Sequence, residues 1–176
     1  MTRAGGVESR RPDIVCFVNG IPLVVIEAKR PDSKSTKGPT VQEGISQTIR
    51  NQRPDEIPLL YAYSQLLVSI SGVDARYGTC ATPDKFWAAW REEDISDMEM
   101  LAIKNKPLSA SQKQDLFSYR KPHDLAWYES LIAGGELAVT TQDQLLISLL
   151  SPARLLELVR FYTLFDNRFG LSLIHI

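Results

Sequence analysis

Arg11-Pro-Asp-Ile-Val-Cys-Phe-Val-Asn-Gly-Ile-Pro-Leu-Val-Val-Ile-Glu-Ala-Lys29 is the stretch on which the reading of this chain turns. Two apolar runs, Asp13 to Phe17 and Leu23 to Ala28, straddle Asn19-Gly20. Asn-Gly between such runs signals a hairpin, because both residues accept the positive φ that a tight turn demands. Val24, Val25 and Ile26 run on without a polar break, which fits a strand buried on both faces. Glu27 and Lys29 are two apart on that strand, so their side chains leave the same face. A Glu and a Lys ending a buried strand carry a desolvation penalty that a mutual ion pair or a metal offsets. Asp13 lies at the outer end of the first strand, near the level of Glu27. Two carboxylates meeting there suit a hard cation that prefers oxygen ligands. Lys29 would then neutralise a phosphate or align an attacking water. Residue chemistry alone leaves a second reading open: a Glu27–Lys29 ion pair at the strand end, with Asp13 an exposed strand-start residue.

The turn decides between the two. A two-residue Asn19-Gly20 turn pairs Val18 with Ile21 and Asp13 with Ile26, which sends Glu27 to the opposite face. A shared site needs a hairpin loop with an odd residue count, or a bulge. The expectation is a three-residue Val18-Asn19-Gly20 loop with Gly20 left-handed. Asp13 then sits opposite Val25 and diagonal to Glu27, with Asp13, Glu27 and Lys29 on one face.

Outward from the hairpin, Arg30 to Thr40 reads as an exposed loop, and Val41 to Arg53 as a helix that Pro54 stops. Ile57 to Ser71 reads as a long strand region, Arg76 to Ala81 as another strand, and Pro83 to Trp90 as a short helix with Pro at its first position. Arg91 to Asn105 is acidic and unperiodic, so it reads as loop. Ser109 to Tyr119, His123 to Ala133, Thr141 to Leu150 and Pro152 to Phe165 read as helices. The ending from Gly170 offers neither a cap nor an amphipathic pattern.

Composition is that of a soluble globular protein, with 44% hydrophobic and 23% charged residues. No apolar run approaches the roughly 20 residues of a membrane helix, and the N-terminus lacks a secretory core; a cytoplasmic location is expected. The net charge of −1 splits unevenly: nine Lys/Arg against five Asp/Glu over residues 1–54, eleven against sixteen beyond. A basic first half suits nucleic acid as well as solvated surface. Cys16 and Cys80 sit in or beside apolar runs and read as plain buried thiols.

The pattern Pro12-Asp13 followed by Glu27-Ala28-Lys29 resembles the catalytic core of the PD-(D/E)xK nuclease superfamily. Four blocks narrow this: Arg11 to Lys29; Glu43-Gly-Ile-Ser-Gln-Thr-Ile-Arg-Asn-Gln; Ile57-Pro-Leu-Leu-Tyr-Ala-Tyr-Ser-Gln-Leu-Leu-Val-Ser; and Gly72-Val-Asp-Ala-Arg-Tyr-Gly-Thr. In this order they resemble the nuclease domain of the restriction subunit of type I restriction–modification enzymes. Pro152-Ala-Arg-Leu-Leu-Glu-Leu-Val-Arg-Phe-Tyr-Thr-Leu-Phe-Asp resembles the segment leading from that domain into a motor. The resemblance covers roughly residues 8–170.

It implies an α/β fold: a restriction-endonuclease-like mixed sheet flanked by helices, followed by an all-helical segment. Residues 1–90 would be the nuclease core and 91–176 a segment leading toward an absent ATP-dependent motor, dispensable for the site itself. It implies Mg²⁺-dependent hydrolysis of duplex DNA, with Asp13 and Glu27 as metal ligands beside the Ala28 carbonyl, and Lys29 at the attacked phosphate. Specificity and methylation subunits would be partners, with ATP used only by the motor; no Walker-type G-x-x-x-x-G-K-[ST] occurs in this chain. Many members carry a Q-x-x-x-Y helix after E-x-K; Gln47 takes the Gln position as a supporting catalytic residue, and Asn51 stands in place of Tyr. Members also have a helix and a strand ahead of the Asp-bearing strand, whereas twelve residues precede Asp13, so the expectation is a core truncated at both ends. The rival is a truncated, non-catalytic DNA-binding or assembly module that retains the fold.

Lys34, Lys37, Arg50 and Arg53 are candidate phosphate contacts, with solvated charge the alternative for each. Phe86, Trp87 and Trp90 suit core packing better than base stacking. Arg76 suits a turn-stabilising partnership with Asp74, and His123 a surface position. His175 is given no role.

Overall fold

The sheet grows from the two most apolar segments of the chain. β1 (Ile14–Val18) and β2 (Ile21–Ala28) form an antiparallel hairpin. A crossover made of α1 (Val41–Asn51) and the short α2 (Pro58–Tyr61) then brings β3 (Leu66–Ile70) alongside β2 in parallel, as a parallel pair requires. β4 (Ala75–Gly78) closes the far edge antiparallel, giving a four-stranded mixed sheet in the order β1-β2-β3-β4. A computed structural model describes the chain over residues 1, 9–30, 40–91, 94–162, 164–166 and 172–174. Beyond the sheet follow α3 (Asp97–Lys104), α4 (Ala110–Phe117), α5 (Pro122–Ala133), α6 (Thr141–Leu149) and α7 (Pro152–Phe161), then a strand pair, β5 (Leu164–Asp166) with β6 (Ser172–Ile174). Among the described residues no helix is long and apolar enough to cross a membrane.

Side-chain alternation splits the core in two. On one face Val25 and Leu67 pack with Val41 and Ile45 of α1, Leu60 and Tyr61 of α2, and Trp87. On the other, Val24, Ile26, Leu66 and Val68 meet Leu145 and Leu149 of α6 and Leu155 and Leu158 of α7. A Thr140–Asp143 capping box starts α6. The same end is latched to the β3–β4 turn, where the Gly72 N–H donates to Gln142 Oε1 at 2.6 Å.

One compact unit comprises Met1–Glu92 together with Thr140–Ile176, and Glu93–Val139 forms another. The second holds α3 to α5. Capping boxes Ser96–Glu99 and Ser109–Gln112 open α3 and α4, and the Asn105 side chain ties Leu101 to Leu137.

Several elements differ from the sequence reading. The stretch 57–71 opens with α2 rather than strand, because Pro58 has no N–H for a ladder and suits a first helical turn. Only Asp84–Phe86 of 83–90 is helical, as a 3₁₀ turn. Trp87 instead lies over Gly78, where a Cβ would come within 2.9 Å of its ring, and Ala88 bridges to Tyr77. Residues 97–104, read as loop, form the capped α3. Helix α7 stops at Phe161, short of the expected Phe165.

Because Leu145 is fully buried at 0% exposure, Leu145→Ala leaves a cavity beneath β2 and β3. A loss of about 2–5 kcal/mol is expected, read by denaturant unfolding. A loss below about 0.5 kcal/mol, the range of surface changes, would show that α6 does not complete the sheet.

Candidate active site

The hairpin turn has two residues, not three: Val18 pairs with Ile21, and Asn19 and Gly20 both take positive φ, at 50° and 80°. The expected left-handed Gly20 is there, but the parity shift comes from elsewhere. Phe17 faces Pro22 while Cys16 faces Val24, so Leu23 is an extra residue on β2, a bulge. Pro22 has no N–H to offer β1, and the ladder slips where that donor is missing. The bulge is pinned from the other side: Ser64 Oγ donates to the Pro22 carbonyl at 3.1 Å, and the Gln65 N–H to the Leu23 carbonyl at 2.8 Å. From Cys16 outward the register is shifted by one, with Ile14 against Ile26. One step further sets Asp13 against Glu27, in place of the diagonal arrangement expected from the sequence.

The two carboxylates are knitted together at that level. The Ala28 N–H donates to Asp13 Oδ2 at 2.8 Å, and the Asp13 N–H approaches Glu27 Oε2 at 3.4 Å. Arg10, just upstream, grips the buried Glu56 with Nε and Nη2 at 2.7 and 3.1 Å, which fixes the chain leading into Asp13. Glu27 is only 6% exposed whereas Asp13 is exposed. Burial pushes the Glu27 carboxyl above the usual carboxylate range, the Asp13 charge pushes it further, and Lys29 pulls it partly back.

Lys29 follows Glu27 by two residues on the same face, and its Nζ donates to Gln47 Oε1 at 2.6 Å. Gln47 Nε2 in turn donates to Glu43 Oε1 at 3.1 Å, one helical turn back. Asp13, Glu27, Lys29 and Gln47, drawn from the hairpin and α1, thus lie together. Glu43, through Gln47, and Ser69, the cross-strand neighbour of Glu27, join them and were missed in the sequence; the i, i+4 spacing of Glu43 and Gln47 was the available signal.

The remaining candidates divide. Arg50 is part-buried and donates to Asn51 Oδ1 from Nε at 3.3 Å and from Nη2 at 3.1 Å. Asn51 is itself buried, with Tyr61 beside it; burial pushes that phenol up to about 12, against a hydrogen bond with Asn51 that lowers it. Arg53 is exposed just past the end of α1. Lys34 and Lys37 lie outside the described residues. Arg76 pairs with Asp74, His123 is 72% exposed beside Asp124, and Trp87 is core while Phe86 is 63% exposed. Cys16 and Cys80 are free, half-buried thiols. The Cys80 thiol donates to the Tyr61 and Ser64 carbonyls.

Two carboxylates crowded at one level, one of them desolvated, form an acceptor-rich pair that fits a hard oxygen-seeking cation. Among the described residues no third His, Cys, Asp or Glu completes a protein-only cage. Mg²⁺ fits such a donor set, since it commonly takes one or two carboxylates and keeps several waters.

Residues 2–86 match the family described as type I restriction enzyme R protein N terminus. A putative type I restriction enzyme MjaIXP endonuclease subunit from Methanocaldococcus jannaschii is 33% identical over 97 residues, 54% of this chain and 9% of that protein. The type I restriction enzyme HindI endonuclease subunit of Haemophilus influenzae is 32% identical over 126 residues, 67% of this chain and 11% of that protein. The matches thus span about a tenth of these curated relatives' length. No solved structure matches the chain.

Because its carboxyl is raised on folding, Glu27 holds its proton more tightly folded than unfolded. Its contribution to stability is present below the ordinary carboxylate range and is lost as pH rises through the raised value. Without divalent cations, Glu27→Gln is expected to be more stable than the wild type at neutral pH, with the gap shrinking on acidification. Denaturant unfolding of both proteins across pH in a chelator checks this. A gap that does not change with pH would mean ionisation is not its cause.

Proposed function

We propose, from the premise that residues 2–86 belong to the type I restriction enzyme R protein N-terminal family, that this chain carries the nuclease centre of such a subunit and hydrolyses duplex DNA with Mg²⁺. The observation that carries the proposal is the bulged register, which sets Asp13 and Glu27 at one level with Lys29 on the same face. When bound, Mg²⁺ supplies Lewis acidity toward a phosphoryl oxygen and lowers the pKa of a coordinated water.

Asp13 and Glu27 would hold the metal in this reading, joined by the Ala28 carbonyl. The hydrogen bonds to Asp13 Oδ2 and Glu27 Oε2 orient each carboxylate and leave a second oxygen for the cation. An ammonium has three donors. Gln47 takes one from Lys29 and so aims the other two at a phosphate whose charge grows as water attacks. Arg50, steadied by Asn51, and Arg53, just past the end of α1, are DNA-backbone contacts in this reading; Lys34 and Lys37, outside the described residues, stay candidates on their charge alone. The target sequence, the ATP-driven motor, and the specificity and methylation subunits belong to the rest of the assembly.

Alanine at Asp13, Glu27 or Lys29 is expected to abolish Mg²⁺-dependent cleavage by a reconstituted complex, with the fold retained by circular dichroism. Near-normal cutting by any one of them removes that residue from the mechanism. Persistent cutting by all three would leave the chain a DNA-binding or assembly module. Calorimetry with Mn²⁺ separates the roles: Glu27→Ala should lose binding and Lys29→Ala keep most of it. Equal losses would contradict the assignment of Lys29 as a non-ligand.

A further inference from the structure

Glu27 and Ser69 are direct neighbours across the parallel β2–β3 pair, on the sheet face that α1 covers. Ser69 is fully buried, and its hydroxyl donates to the Val41 carbonyl, in the first turn of α1, at 2.8 Å. Immediately above lies Gly44. A Cβ built there would stand 2.2 Å from Ser69 Oγ, 3.2 Å from Ser69 Cβ and 3.6 Å from Glu27 Cβ. The first of these is far inside van der Waals contact, and the hydroxyl that would have to move is fixed in its bond to Val41. Glycine is a poor residue for a helix interior, so its presence here marks a close backbone approach. One turn further along α1, Gln47 meets Lys29.

We infer that Gly44 and Ser69 are positioning residues: together they set the depth and rotation of α1 on the sheet and so hold Gln47 on Lys29. The hairpin carries Asp13 and Glu27, and β2 leads directly into Lys29, whereas Gln47 and Glu43 ride on α1 alone. Lifting α1 by the width of a methyl separates Gln47 from Lys29 and leaves the two carboxylates together. The inference rests on the proposed function only in giving the Lys29–Gln47 contact a catalytic use; the contact itself can be followed without any cleavage.

The test is the side-chain NMR signal of Lys29 in the full 176-residue chain, assigned by its loss in Lys29→Arg. Gly44→Ala should move that signal to its position in Gln47→Ala, while Mn²⁺ affinity stays at the wild-type value. Ser69→Ala, which empties the contact rather than overfilling it, should give a smaller shift in the same direction. Adding Ser69→Ala to Gly44→Ala should bring the signal back to the Ser69→Ala position, since the hydroxyl is the atom that clashes. A merely structural role would lower the melting temperature of these variants and leave Lys29 at its wild-type position, which overturns the proposal. A double variant that shows no return overturns it as well. If Gly44→Ala does not fold, an unmoved Lys29 signal in Ser69→Ala overturns it, and the smaller shift sustains it. Should the signals behave as expected while alanine at Asp13, Glu27 and Lys29 each leaves cutting by the reconstituted complex intact, the nuclease reading fails and the positioning role stands.

Discussion

A strand shows its side chains to alternate faces, so a hairpin joins two chosen residues on one face only if its register has the right parity. The two-residue Asn19-Gly20 turn by itself has the wrong one: it would turn Asp13 and Glu27 to opposite sides of the sheet. Leu23 corrects this by standing outside the ladder. The correction falls beside Pro22, the residue of β2 that cannot donate a hydrogen bond. Ser64 and Gln65, at the entry to β3, hold the bulged carbonyls. One residue count in one strand thus decides whether this chain has a carboxylate pair at all.

The pair also has an electrostatic cost. Glu27 sits between the α1 face of the sheet and Asp13, and both burial and the neighbouring charge oppose its ionisation. Lys29 offsets only part of this. Perturbed carboxylates with a specific charge partner gather at functional sites. In the proposed site, the residue whose ionisation the fold opposes is the one a divalent cation would relieve most. Helix α1 enters this balance through its glycine, which lets it come close enough to touch both Ser69 and the carboxylate strand.

Much of this was legible in the sequence, for reasons that can be named. The hairpin, the positive φ of Gly20 and the shared face of Glu27 and Lys29 follow from turn chemistry and the two-residue period. The bulge was foreseen only as one of two ways to shift parity, because the missing N–H of Pro22 was not followed to its consequence. Residues 57–61 passed for strand because a short apolar run is ambiguous between helix and strand; the proline at 58 was the local sign. Helix α3 lacks a clear apolar stripe, yet Ser96 and Glu99 spell a capping box. The apolar faces of α6 and α7 show in the sequence, but nothing local says that they cover the same sheet as the catalytic candidates. That knowledge needs tertiary contact, as does the fit of Gly44 against Ser69. The proposed magnesium and cleavage reaction rest on the family likeness together with the donor set.

Mn²⁺ titrated into the isotopically labelled chain tests the central claim most directly, since its unpaired electrons broaden nearby amide signals. A cation held between Asp13 and Glu27 predicts that the amides of Asp13, Glu27 and Ala28 vanish first. Those of Asn19 and Gly20, roughly 20 Å along the hairpin at about 3.3 Å per residue, should persist, and the effect should disappear in Asp13→Asn. Broadening that spares Asp13 to Ala28, or that is the same in Asp13→Asn, would contradict a shared metal site.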